Sequence, residues 1–240
     1  MSEHIKKHWD GQAEKDSYKA SWEDIYAINL EINAIGNFIN DKDIVLDVGC
    51  ANGYSTSRQK GKKITGVDFS EAMITVATKL KSKRLHFTVG DIRNLQFESK
   101  SFDIVYTTRC LINLPTWEEQ KQGISECLRV ASKKVILSEG FYESFIKLNA
   151  LRLIAGLSPL VEHDYNRYLK KERLNDLLKG YKFKNYDFSS LYYLGTRFIR
   201  ELTNVDSLEY TNKLNNEFYK LQKEYKCEGF GIQQLYVIDL

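Results

Sequence analysis

Val45-Leu-Asp-Val-Gly-Cys-Ala-Asn-Gly53 decides the fold. The apolar run 44–46 reads as a short buried strand ending on Asp47, and Gly49 and Gly53 bracket a tight turn that leads into an expected helix. Apolar strand, acid, glycine turn and helix form the entrance to a nucleotide-type crevice in an open parallel sheet. The acid distinguishes this turn from a phosphate-binding loop, which favours bare backbone amides and positive charge. A carboxylate at the strand end suits a cationic ligand group.

Outward from this stretch, short β-branched and aromatic segments at 44–48, 64–68, 85–89, 102–107 and 135–139 alternate with helical patterns. Ser70 is a candidate N-cap, followed by Met73, Val76, Ala77 and Leu80 at helical spacing. Thr116 and Glu119 form a capping box ahead of the stripe Trp117, Ile124, Leu128 and Ala131. Five β-α units in sequence predict an α/β fold, a doubly wound and mostly parallel sheet. Residues 1–40 read as amphipathic helices. Beyond Glu139, helices at 143–156, 171–179 and 196–226 are interrupted by an aromatic strand at 183–190, and a last strand spans 232–240. With two prolines and no linker, the 240 residues read as one domain: a helical lid (1–40), a ligand-binding core (41–140) and substrate-side helices with the last two strands (141–240).

A chain of this length can bury a substantial core. The net charge of +3 is too small for a nucleic-acid footprint, and the lysines at 213–226 alternate with glutamates as a solvated helix face would. Cys50, Cys110, Cys127 and Cys227 are widely spaced, with no ligand pattern for a metal and no disulfide framework; free thiols in a reducing, cytoplasmic compartment are expected. Residues 1–16 carry no signal-peptide pattern, and no apolar run is long enough to span a membrane.

Asp47, Asp68 and Asp91 end three successive expected strands, and in a parallel sheet these ends face one crevice. Asp68 lies 19 residues beyond Gly49, where an acid accepts from ribose hydroxyls. Asp91 could accept from an exocyclic amine, with Phe69, Met73 and Ile92 supplying apolar surface for an adenine. The dinucleotide fingerprint G-x-G-x-x-G fails, because Ala51 and Tyr54 stand at its second and third glycines.

Asp47-Val-Gly-Cys-Ala-Asn-Gly53, Gly66-Val-Asp68-Phe-Ser and Gly90-Asp91-Ile, in this order, resemble class I S-adenosylmethionine-dependent methyltransferases over residues 40–140. The stretch from Arg109 to Gln120 is similar to the segment after strand 4 in the small-molecule and glycan members. The resemblance implies a Rossmann-like seven-stranded sheet and S-adenosylmethionine as donor, leaving S-adenosylhomocysteine. Asp47 would organise the methionine end, Asp68 the ribose and Asp91 the adenine, with Tyr18, Gly49, Cys50, Gly53 and Thr108 as further donor contacts. Ala51 departs from the family's middle glycine, which is tolerable if its φ stays negative.

On the acceptor side, Arg109 and Asn113 follow strand 4, and Arg109 could grip an anion through its guanidinium fork. Glu139 ends strand 5 as a candidate base or helix cap. His163 and Asn166 lie in the polar stretch 162–167 as candidate base and substrate contact. Tyr192, Tyr193 and Arg197 follow as substrate contacts; similar Ser-Ser-x-Tyr-Tyr stretches occur in the resembled enzymes. Trp9, Tyr18 and Trp22 are lid candidates. These readings favour metal-independent methylation, at oxygen, of a small polar acceptor, anionic or sugar-linked, by a monomer or homodimer. RNA methylation and a non-catalytic donor-binding partner subunit are the alternatives.

Overall fold

The computed structural model describes residues 3–15, 17–203 and 207–240. Residues 1–2, 16 and 204–206, which fall within the expected leading helices and the expected 196–226 helix, lie outside the described residues. Helices α1 (Glu3–Gln12) and α2 (Ile25–Gly36) precede β1 (Ile44–Val48) and β2 (Lys63–Asp68). Then come α3 (Glu71–Ala77), β3 (Leu85–Val89), β4 (Phe102–Thr108), α4 (Trp117–Val130), β5 (Ala131–Gly140) and α5 (Tyr142–Ile154). The remainder is α6 (Lys171–Leu177), β6 (Lys182–Tyr186), α7 (Ser190–Leu194), a π-turn (Gly195–Ile199), α8 (Arg200–Leu202), α9 (Leu208–Glu224) and β7 (Gln233–Asp239).

The seven strands form one sheet in the order β3-β2-β1-β4-β5-β7-β6. All neighbours pair in parallel except β7, which runs antiparallel to both β5 and β6. The chain winds out to β3 and returns to β4, so the topological switch point lies between β1 and β4, where a crevice opens at the carboxyl ends.

Strand residues alternate between two cores. Leu46, Val48, Val105, Val135 and Leu137 pack on Ile124 and Val130 of α4, while Val45, Ile64, Ile104, Tyr106 and Ile136 pack on Ala34 and Ile35 of α2. Each fully buried aliphatic side chain here contributes about 1.5–3 kcal/mol. The expected caps form: Ser70 Oγ accepts from Met73 N–H at 3.1 Å, and Thr116 Oγ1 from Glu119 N–H at 3.3 Å.

Two expected helices are absent. After β1 the chain makes only a 3-10 turn (Thr56–Arg58), and no helix separates β3 from β4. Few residues join β1 to β2, they are rich in Ser and Thr, and they end on Gly61, which holds φ +131°; there is no apolar stripe to bury. α2 covers that face instead. The expected strand 183–190 stops at Tyr186, because Asp187 turns the chain by accepting from Ser189 N–H, Ser190 Oγ and Gly229 N–H.

Candidate active site

The β1–β2 turn is shaped by close approach. Gly49 holds φ +82°, and a Cβ there would sit 2.6 Å from Cys110 Cβ. Its N–H and that of Cys50 both donate to Val67 O. Ala51 takes φ +47°, against the expected negative value. Left-handed backbone costs an alanine about 1–2 kcal/mol; its N–H donates to Asp68 Oδ2 at 2.9 Å, which helps hold the conformation.

Asp47 and Asp68 stand at adjacent strand ends, both almost fully buried. Thr56 Oγ1 donates to Asp47 at 2.6 Å, and Ser70 N–H to Asp68 Oδ1 at 2.9 Å. Burial pushes each carboxyl up to about 6 despite these donors. Two desolvated acids side by side favour a cation between them.

Three connected chambers open at the switch point, all bordered by Ser21 and Arg109. The first, about 30 Å³, lies against Asp47, Gly49, Cys50 and Thr108. The second, about 60 Å³, lies against Asp68, Phe69, Thr108 and Asn113, with Trp9 of α1 above it. The third, about 250 Å³, is walled by Trp22, Phe145, Tyr168 and Tyr193, with Trp9 again at its edge. A larger open groove of about 780 Å³ runs between α2, β6 and the end of α9. It contains none of the buried strand-end acids, so the chemistry is assigned to the smaller chambers.

The N-terminal segment forms the roof. Asn52 Nδ2 donates to Ser17 O at 2.6 Å, Tyr18 meets Tyr54 edge-on, and Ser70 Oγ donates to Asp10. His8 stacks on Tyr165 at 4.3 Å, and His163 stacks parallel to the same ring at 5.3 Å. Burial and the neighbouring His4 and His163 hold His8 below the usual imidazole range. Ser21 and Trp9 stand inside a cleft whose first two chambers are far smaller than the about 300–1,000 Å³ of a small-molecule site.

Arg109, at the end of β4, holds φ +52°, a conformation costing about 1–3 kcal/mol and typical of functional sites. Its Nε lies 3.1 Å from Glu31 Oε1 of α2, and its guanidinium lies over the Trp22 ring at 4.6 Å. Burial pushes Glu31 up to about 7 against the pull of Arg109. Arg197, on the π-turn, pairs with Asp24 at 2.8 Å, and Tyr192 Oη donates to the same carboxylate at 2.5 Å. Asp24 also caps α2 by accepting from Ala27 N–H. Arg109 was expected as an anion grip and Arg197 as a substrate contact; each is paired with an acid, Glu31 and Asp24 respectively. Neither Asp24 nor Glu31 was singled out from sequence, although a lone glutamate in Ile-Tyr-Ala-Ile-Asn-Leu-Glu31-Ile was a visible signal, since a buried charge demands a partner.

The remaining candidates divide cleanly. Arg109, Asn113, His163, Asn166, Tyr193 and Arg197 border the third chamber. Asn113 Nδ2 donates to Arg109 O, leaving its buried Oδ1 without a partner, as is Thr108 Oγ1. Glu139, expected as a base or a helix cap, is fully buried and accepts from Thr107 Oγ1 and from the N–H groups of Cys110, Leu111 and Ile112, holding the turn after β4. Burial pushes it up to about 7. Tyr192 lies behind Tyr193, outside the third chamber. Asp91, expected as an adenine contact, borders none of the three chambers, and Arg93 grips its carboxylate through Nε and Nη2. Met73 and Ile92 are core residues, Gly53 faces Phe87, and Tyr18 packs on Tyr54, all outside the chambers.

Among the described residues no group of His, Cys, Asp or Glu is arranged to hold a metal, and no helix is long and apolar enough to cross a membrane.

The family described as Methyltransferase domain matches residues 45–134. An O-methyltransferase of Penicillium expansum is 31% identical over 100 residues, covering 38% of this chain and 36% of that protein. A ubiquinone biosynthesis O-methyltransferase of Coxiella burnetii is 22% identical over 156 residues, covering 62% of this chain and 67% of that protein. The chain thus spans about a third of the first relative and two thirds of the second. Among solved structures, a SAM-dependent methyltransferase from Thermotoga maritima superposes with a TM-score of 0.63 at 18% identity over 98% of both chains, a likeness of fold.

Proposed function

We propose that this chain, whose residues 45–134 match the Methyltransferase domain family, is a class I S-adenosylmethionine-dependent methyltransferase that methylates a hydroxyl oxygen of a small acceptor seated in the third chamber. The observation that carries this reading is the pair of buried carboxylates, Asp47 and Asp68, flanking the left-handed turn at Gly49 and Ala51. Asp47 would hold the cationic methionine end and Asp68 the ribose, with the unpartnered Thr108 hydroxyl a further contact. When bound, S-adenosylmethionine supplies a methyl group already activated on a sulfonium.

The chain's own residues then have to align the acceptor and exclude water. Asn113 Oδ1 accepts from the acceptor hydroxyl and orients it. His163, the titratable side chain open to the third chamber, takes the proton as the oxygen is methylated. Trp9 and Ser21 close the roof. The four free cysteines suit a reducing, cytoplasmic setting.

Calorimetry with S-adenosylmethionine tests the premise: wild type should bind, and Asp68→Ala should weaken binding by about 1.5–3 kcal/mol. Mass spectrometry of a small-molecule cell extract incubated with enzyme and donor should then reveal a methylated product lacking from a His163→Ala reaction. Absence of donor binding would refute the assignment; binding without transfer to any extract component would favour a non-catalytic partner subunit.

A further inference from the structure

Asp24 and Glu31 lie two turns apart on one face of α2, and each meets an arginine from a distant part of the chain. Glu31 is 2% exposed and reaches Arg109 from behind; Asp24 is 8% exposed and reaches Arg197. Without these acids the third chamber would carry two positive charges. With both acids ionised, which for Glu31 holds above about pH 7, the chamber is electrically balanced, and an anion entering would have to compete with a carboxylate for its guanidinium.

The rest of the chamber agrees with an uncharged occupant. Trp22, Phe145, Tyr168 and Tyr193 offer ring faces for a flat ligand. Asn113 lines this chamber and the second, and its buried, unpartnered Oδ1 can only accept a hydrogen bond, which favours a hydroxyl or an N–H over a carboxylate. The volume, about 250 Å³, suits a compound built on one ring.

We propose that Asp24 and Glu31 are specificity-determining residues that cancel Arg197 and Arg109, so that the chamber selects an uncharged, ring-bearing hydroxyl compound over an anion. This rests on the methyltransferase reading of the same site and names its acceptor class. Both acids act through their arginines and touch no substrate themselves.

The test titrates protein loaded with S-adenosylhomocysteine at about pH 8, where Glu31 is ionised, with two matched probes, phenol and benzoate, by ligand-observed NMR. Wild type should bind phenol at least about tenfold more tightly than benzoate. Glu31→Gln keeps the shape of the side chain, and Asp24→Asn keeps the helix cap. Each should raise benzoate affinity about tenfold while leaving phenol and S-adenosylhomocysteine affinity within about twofold, a split that mere loosening of the fold would not produce. Equal or tighter benzoate binding by wild type overturns the proposal. So does a parallel change for both probes in both variants, or a failure of phenol to bind protein that holds S-adenosylhomocysteine. Loss of S-adenosylhomocysteine binding by wild type would refute the underlying methyltransferase reading instead.

Discussion

The two halves of the site are built on different length scales. Around Asp47 and Asp68 the decisive contacts are short in sequence: Thr56 is nine residues from Asp47, and Ala51 is seventeen from Asp68. Around the third chamber they are long, with Tyr192 and Arg197 reaching 168 and 173 residues back to Asp24. One half is a local motif that any strand-turn-strand unit could carry. The other exists only once both ends of the chain have come together, so its chemistry is a property of the tertiary fold.

The most severe way to break the first half alone is Gly49→Ala. The new methyl would need a left-handed backbone and would strike Cys110, costing about 3 kcal/mol from strain and overpacking together. A lower unfolding midpoint with loss of donor binding is expected in calorimetry and denaturation. The second half should respond to Tyr192→Phe. Removing the hydroxyl that donates to Asp24 should cost about 1.5 kcal/mol in urea unfolding, with donor affinity unchanged. A fall in donor affinity would show that the two halves are coupled more tightly than their contacts indicate.

That contrast explains what the sequence could disclose. The first four strands, the Ser70 and Thr116 caps and the acids at 47 and 68 follow from local periodicity and capping chemistry, whereas β5 begins at Ala131, read from sequence as helix, and β6 ends early at Tyr186. Strand-end position does not reveal that the nearby Arg93 grips the carboxylate of Asp91. Nor does it show which of the two roles expected of Glu139 its surroundings favour, since the three N–H groups it accepts from belong to the turn after β4. The partners of Arg109 and Arg197 were hidden because they lie on a helix far away in sequence. The missing helices after β1 and β3 were inferred from rhythm without a stripe of apolar residues to support them.

A pH series sharpens the comparison further, since both halves hold raised carboxyls. Asp47 and Asp68 sit at about 6, Glu31 and Glu139 at about 7, against about 4 for ordinary carboxylates. The folded chain therefore binds these protons more tightly than the unfolded chain. Their contribution to stability is complete below about pH 4 and is lost as pH rises through 6 to 7. Thermal scans of donor-free protein should show the midpoint falling between about pH 5.5 and 8, the four groups together giving up as much as about 5 kcal/mol. Saturating S-adenosylmethionine should flatten the share due to Asp47 and Asp68, leaving that of Glu31 and Glu139. A midpoint that rises over this interval would contradict the buried, unrelieved state of these acids.

The mildest probe is Ala51→Gly. Relief of left-handed strain, about 1–2 kcal/mol, is opposed by about 0.5–1 kcal/mol of added chain entropy, so a net gain of about 0.5 kcal/mol is expected in the unfolding midpoint, confined to the first half.

Trp9 borders both the chamber against Asp68 and the one walled by Tyr168 and Tyr193. One indole wall common to both means that any change in where that ring stands reshapes the two compartments together, so a substitution at Trp9 registers in both.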